Sequence, residues 1–393
     1  MALEPTPLAQ LPAAVERMVG PAAPPSMRLM AARGMAPLPP PDLAVALYQL
    51  SFADDEPVRE AALKSAAELP DPILGGALAA PLDPRVLDFF ARRITRRPKL
   101  LETLLLNRAT DDETFRHLAT LVGESELEMI AKNEERLLRH PPIIAALYMN
   151  PKTRMSTAQR AIELAVRNNV RVDGIPAFDE AAKAIAQGGM GDPAAEDAAF
   201  KAAAAIAVDA TAALGLVALD PTEAEKAAQA ELAAAEAEIA AALASGAGDA
   251  PPAGDAQAEE TAKKLTDLSP AAKIRVATLG NSFARSVLIR DKNMQVAMAC
   301  IRSPGVSDAE ALRYATNRSL DDEIIRFISN RRQWTRLPGV RLALCNNPKT
   351  PMPTTIRLLP TLGVRDLRNI ARSKGIPSAI ATAAKQLIQS RGG

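Results

Sequence analysis

At 393 residues and 41.6 kDa, the chain has the length of two or three domains. Its 47 Lys+Arg offset 46 Asp+Glu to a formal charge of +1, so the total charge favours no class of partner. Two Cys and two His (His117 and His140) exclude a disulfide framework, a four-Cys zinc site and most histidine-based catalysis. Apolar residues at 48% suffice for a core, and aromatics at only 3% leave Leu, Ile, Val, Met and Ala to fill it. No apolar run approaches the roughly 18 residues that cross a bilayer. The opening MALEPTPLAQLPAAVERM has an acid and prolines where a secretory leader has a basic and then an apolar stretch. The expectation is a soluble, cytoplasmic protein.

In chain order, residues 1–41 come first and hold ten prolines, three of them consecutive at Pro39, Pro40 and Pro41. Proline removes a backbone donor and clashes inside a helix, so an extended or disordered lead is expected. From Asp42 to about residue 177 the pattern becomes short apolar-periodic helices such as 42–50, 57–69 and 84–94. Strict two-residue alternation with β-branched enrichment occurs nowhere, so no strands are predicted. Residues 178–260 differ in kind, with 34 Ala and 3 Lys against 16 Asp+Glu, a local charge of −13. They read as an Ala-rich acidic tether with one helix over 221–244. That helix begins at Asp220-Pro221-Thr222-Glu223, an acid cap followed by proline at the first helical position. Its larger apolar residues, Leu232, Ile239 and Leu243, form only a narrow stripe. From 261 to 388 the short helices return, ahead of a tail at 389–393. Residues 262–393 carry 23 Lys+Arg and 8 Asp+Glu, a charge of +15, so the neutral total hides a polarised chain.

Residues 130–155 (IAKNEERLLRHPPIIAALYMNPKTRM) align without a gap to 327–352 (FISNRRQWTRLPGVRLALCNNPKTPM), with ten identities in 26 positions. Among the identities are Asn150/Asn347, Pro151/Pro348, Lys152/Lys349 and Thr153/Thr350. A Gly-Ile-Pro recurs at 174–176 and 375–377. Two Ala-rich helices would not reproduce that polar motif with its flanks by chance, and an internal duplication is the reading. Within each copy, 296–315 resembles 340–359 at an offset of 44, and 104–118 resembles the stretch from 146 at about 43. The unit is a helix, an Asn/Ser-Pro-x-Thr/Val turn and further helix. The Asn or Ser with Pro ends the first helix, and Thr or Ser is expected to cap the next. One unit leaves an apolar face that only its neighbour covers.

This period resembles the HEAT and armadillo type of α-solenoid, and the segment LALCNNPKTPMPTTIRLL resembles the leucine-rich repeat variant pattern. The whole is similar to uncharacterised helical-repeat proteins of bacteria. The resemblance covers roughly 42–176 and 262–388 and implies an all-α fold: an α-solenoid of short helices in two duplicated arrays. It implies no activity and no cofactor. The Cys-rich segment on which some leucine-rich repeat variant proteins hold an iron–sulfur cluster is missing here.

The conspicuous polar motifs are the two Asn-Pro-Lys-Thr turns, whose lysines, Lys349 included, could meet an anion or merely face solvent. The densest basic run is Asn330-Arg331-Arg332-Gln333-Trp334-Thr335-Arg336, followed by Arg341, and it contains the only Trp. In the other copy Glu134, Glu135 and Leu137 stand where Arg331, Arg332 and Trp334 stand, so the charge is reversed while the framework residues are kept. Arg331, Arg332, Trp334, Arg336, Arg341, Lys349, Arg365, Arg368 and Arg372 form the candidate partner surface. Trp334, at a Leu-equivalent position, has core as its simpler reading. Cys300 and Cys345 lie in apolar helical runs and read as buried hydrophobes. Asp321, Asp322 and Glu323 read as charges at a helix N-terminus. Phosphate-loop, nucleophile-elbow and zinc-protease motifs do not occur. The expected function is a non-catalytic scaffold for protein–protein interaction. A nucleic-acid-binding array is the first alternative, and an enzyme acting on nucleic-acid bases the second. Contact of the basic array with this chain's own acidic tether is a further expectation.

Overall fold

A computed structural model describes residues 4–187, 191–213, 229–239, 256–373 and 375–391. The fold is all-α, and no strand occurs among the described residues. The chain divides into two compact units, Met1–Ile175 and Pro176–Gly393.

In the first unit the helices are α1 (Ala13–Val19), α2 (Pro25–Ala32), α3 (Pro40–Leu50), α4 (Glu56–Glu68), α5 (Asp71–Leu78) and α6 (Pro84–Ala91). They continue as α7 (Pro98–Leu106), α8 (Asp112–Leu121), α9 (Glu124–Ala131), α10 (Glu134–Arg139), α11 (Pro142–Met149) and α12 (Met155–Arg167). Isolated helices shorter than about 12–15 residues are marginal in water, so packing must hold these. Successive odd-numbered helices from α1 to α9 pack on one another, and α8 packs on α11. Tyr48 joins the first layers, with Phe52 and Phe89 each edge-on to its ring.

The proline-rich lead departs from the expected extended segment. It forms α1 and α2, and Val15, Val19, Ala31 and Ala32 are buried. The prolines sit at helix entrances: Pro12 caps α1, Pro24 and Pro25 open α2, and Pro39 and Pro40 open α3. The missing N–H is harmless there and the fixed φ suits the first turn, so proline starts these helices. Near the N-terminus, Thr6 donates its backbone N–H to Gln49 Oε1 at 2.9 Å, which ties the lead to α3.

The second unit contains α13 (Phe178–Ala186), α14 (Pro193–Ala213), α15 (229–239), α16 (Ala256–Thr266), α17 (Pro270–Leu279), α18 (Ser282–Leu288) and α19 (Met294–Arg302). It ends with α20 (Asp308–Thr316), α21 (Asp322–Asn330), α22 (Arg332–Thr335), α23 (Pro338–Asn346), α24 (Met352–Leu358), α25 (Val364–Arg372) and α26 (Ser378–Arg391). Here α17 packs on α19, α19 on α21, α20 on α23 and α25 on α26.

The acidic stretch 178–260 is also more than a tether. Its outer parts belong to the packed unit: α13 lies against α17 and α19, while α14 and α16 lie against α18. Phe178, Ala181, Phe200 and Ala203 are buried. Asn281 donates from Nδ2 to Ala203 O at 2.5 Å, and Glu180 pairs with Arg302. Alanine permits this because a face of small side chains lets helices approach closely, which the composition alone disguises as linker. Of the helix predicted over 221–244, residues 229–239 are helical, while the Asp220–Glu223 cap lies outside the described residues.

Candidate partner-binding surface

The turns that end several helices share one device. At the end of α7, Asn107 turns its Nδ2 to Leu78 O (2.6 Å) and Ala80 O (2.8 Å) at the end of α5. Asn150, ending α11, donates to Ala119 O in the last turn of α8 at 2.8 Å. Asn347, ending α23, donates to Ala315 O and Asn317 O at the end of α20, at 2.9 and 3.1 Å. Ser303 does the same with its hydroxyl, from α19 to Thr278 O of α17 at 2.9 Å. A helix leaves its last four carbonyls without partners, and here the neighbouring helix caps them. In each Asn the Oδ1 also accepts the N–H two residues on, from Ala109, Lys152 or Lys349, at 2.9–3.0 Å. One side chain thus ends its own helix, shapes the following turn and binds the adjacent helix.

The threonines of these motifs act otherwise than expected. Thr153 and Thr350 are buried, and neither Oγ1 has a hydrogen-bond partner among the described residues. Arg154 and Pro351, not the threonines, stand at the N-caps of α12 and α24, and neither helix has a side-chain cap. Lys349 serves the fold: its Nζ donates to Leu320 O at 2.6 Å and lies 3.8 Å from Asp322. The recurring Gly-Ile-Pro also diverges, since Gly174 has a left-handed φ of 92° and Gly375 does not.

The C-terminal arginines are set on consecutive packed elements. α21 contacts α22, α22 contacts α23, and α23 contacts α25. Arg331, Arg332, Arg336, Arg365, Arg368 and Arg372 are all exposed, and none forms an ion pair with a described carboxylate. On α25, Arg365, Arg368 and Arg372 recur at three- and four-residue steps along one face, opposite buried Leu367 and Ile370. Phe327 supports the near end: the Arg331 guanidinium lies 4.7 Å from its ring centroid, and Arg302 lies 5.8 Å away. The surface therefore carries six arginine charges that pair with no described carboxylate, Asp366 being the one acid on α25.

Two predicted members stand apart. Trp334 is buried, with its ring 6.3 Å from Phe327 in edge geometry, so it supports the arginines from within. Its counterpart Leu137 is equally buried. Arg341 is half-buried, with Nε enclosed and lacking a hydrogen-bond partner among the described residues; Ile144, at the aligned position, is fully buried.

Sequence reasoning missed a buried ionic brace. Arg285 pairs in two-pronged fashion with Glu310, Nε–Oε1 at 2.9 Å and Nη2–Oε2 at 2.8 Å. The same guanidinium donates to Gly280 O and Gly305 O, and Glu310 accepts from Ser307 N and Tyr314 OH. Burial, with the Glu310 charge nearby, holds the Tyr314 phenol well above its ordinary range. The Ser307-x-x-Glu310 capping box was the visible signal, but nothing in it announced Arg285 as a partner.

The acidic helix α15 lies over this same unit. Glu231 approaches Ser307 Oγ to 3.3 Å and Arg313 to 3.9 Å, and Glu238 reaches Arg313 at 3.7 Å. Glu236 comes so near Gly339 that a methyl group there would meet its Oε1 at 2.6 Å. Ala235 is fully buried, while Leu232 and Ile239 are half-buried.

Of the remaining reactive groups, the two cysteines are buried. Burial pushes the Cys345 thiol up to about 12 and Cys300 higher still. His117 is held below its ordinary range, chiefly by burial. Asp321 caps α21 through Glu323 N at 2.9 Å, and Asp322 and Glu323 fill its first turn. Among the described residues, no three His, Cys, Asp or Glu side chains stand together as a metal site, and no helix is long and apolar enough to cross a membrane. The chain matches no protein-family model, no curated protein and no solved structure.

Proposed function

We propose that this chain is a non-catalytic, cytoplasmic scaffold that presents the arginines of α22 and α25 to an acidic protein partner. In this reading its short helices stack as a HEAT/armadillo-like solenoid with leucine-rich-repeat-variant-like units, and the two arrays descend from one duplication. The shared caps at Asn150 and Asn347 support the common descent. The observation that carries the functional reading is the set of six exposed arginines without carboxylate partners among the described residues, in the copy whose counterpart has Glu134 and Glu135.

Charge alone would serve a nucleic acid equally well. Two features favour protein. Phe178, Phe200, Tyr314 and Trp334 are buried, and Phe283 and Phe327 are half-buried, so the second unit offers no exposed ring among its described residues on which a base could stack. Its own acidic helix, moreover, meets it through glutamates. Titration of the full chain with labelled poly-glutamate, mixed duplex DNA and single-stranded RNA across a salt series tests the reading. Saturable poly-glutamate binding, tighter than that of either nucleic acid at physiological salt, is expected. Tighter nucleic-acid binding with a steep log–log salt slope would transfer the surface to the nucleic-acid reading.

A further inference from the structure

From the placement of α15 we infer that α20 and the start of α23 form a seat for an acidic amphipathic helix, which α15 occupies in cis and a partner's helix takes by displacing it. This rests on the proposed binding of acidic protein but assigns it a second, separate surface: Ser307, Arg313 and Gly339 rather than the arginines of α22 and α25.

The seat has three parts. Arg313 stands between Glu231 and Glu238, seven residues or two helical turns apart, so one guanidinium meets one face of the incoming helix. Ser307, the cap of α20, offers its hydroxyl to Glu231. Gly339 clears room for Glu236, whereas the first copy has Pro142 at that place, whose ring would fill it. The apolar side chains of its described residues that are not exposed are Leu232, Ala235 and Ile239, at steps of three and four along one face of α15.

This occupant is held weakly. Its charge pairs lie 3.7–3.9 Å apart with both partners substantially exposed, and such pairs contribute little each. Retention comes mainly from tethering, which supplies an effective concentration on the order of millimolar. A helix with the same spacing of glutamates and a larger apolar stripe would therefore displace it. The seat recognises a class of ligand, an acidic helix, and the chain carries its own low-affinity copy as a guard.

The test uses the full chain and a fluorescent peptide with the sequence of residues 221–244. Glu231→Gln, Glu236→Gln and Glu238→Gln together should free the seat, so the triple variant should bind the peptide about tenfold more tightly than wild type. Adding Arg313→Glu, a surface change, should remove that gain while the helical circular-dichroism signal stays intact. Adding Gly339→Leu instead should remove it by filling the cleft. Equal peptide affinity for wild type and triple variant would overturn the inference, as would a gain that survives Arg313→Glu. Charge reversal at Arg331 and Arg332 separates the two claims. If it abolishes poly-glutamate binding while the triple variant gains nothing, the basic surface stands and the seat falls.

Discussion

A single asparagine at the end of a short helix does three things at once in this protein, and its loss should be felt accordingly. Asn347 is buried and gives its amide to two carbonyls at the end of α20. In Asn347→Ala those acceptors are left without donors inside the protein, a cost of about 1–3 kcal/mol. Chemical denaturation should show that loss for Asn347→Ala and a similar one for Asn150→Ala, whereas Lys152→Ala, at an exposed position of the same motif, should change little. That Asn stops the helix was legible from Asn-Pro spacing. That it reaches 30 or so residues back was not, because sequence shows the cap but not which helix end comes to lie beside it. The expected Thr caps failed for a related reason: a hydroxyl drawn into the core is no longer free to meet the next helix N-terminus. The cysteines were legible outright. Buried thiols held above their ordinary range should resist thiol-specific reagents until the chain unfolds, which a stopped-denaturant labelling series checks.

Between elements, ionic clamps bridge neighbouring segments in both units. In the first, Asp112 at the start of α8 receives Arg139 through two bonds of 2.8 Å and also Arg136, both from α10. The hydrogen bonds from Arg139, with the charges of both arginines, hold its carboxyl below the usual carboxylate range. A carboxyl depressed on folding stabilises the folded state above its unfolded pKa, and that stability is lost as pH falls through the folded value. Thermal melting of the first unit should therefore drop at acid pH, and Asp112→Asn should lower the neutral-pH melting point while flattening the acid limb. An unchanged acid limb would remove Asp112 from the clamp. The second unit's brace is more deeply buried. Removing one partner with Glu310→Ala strands the Arg285 charge, and such breaks cost about 3–5 kcal/mol. Equilibrium unfolding of the second unit would detect it. Neither clamp could be read from periodicity, since charged residues 24–27 positions apart share no pattern until the helices pack.

For the whole molecule, the balance of charge was the informative feature and the total was the misleading one. The all-α fold followed from short apolar periods and missing alternation. Prolines misled in residues 1–41, where they start helices, and alanines misled in 178–213, where Ala181, Ala184, Ala199 and Ala203 are buried. Arg331 and Arg332 stood out in the sequence because Glu134 and Glu135 occupy the aligned positions, yet Trp334 and Lys349 had to be taken from the candidate surface, one into the core and one onto the Leu320 carbonyl. What remains is a row of exposed guanidinium groups on α22 and α25, proposed to meet an acidic protein. The most direct measurement is the poly-glutamate affinity of the full chain against that of Arg331→Glu with Arg332→Glu, which places there the acids found at the aligned positions 134 and 135. At physiological salt the double variant should lose affinity at least tenfold with its melting temperature unchanged. Equal affinity in the two proteins would contradict the account.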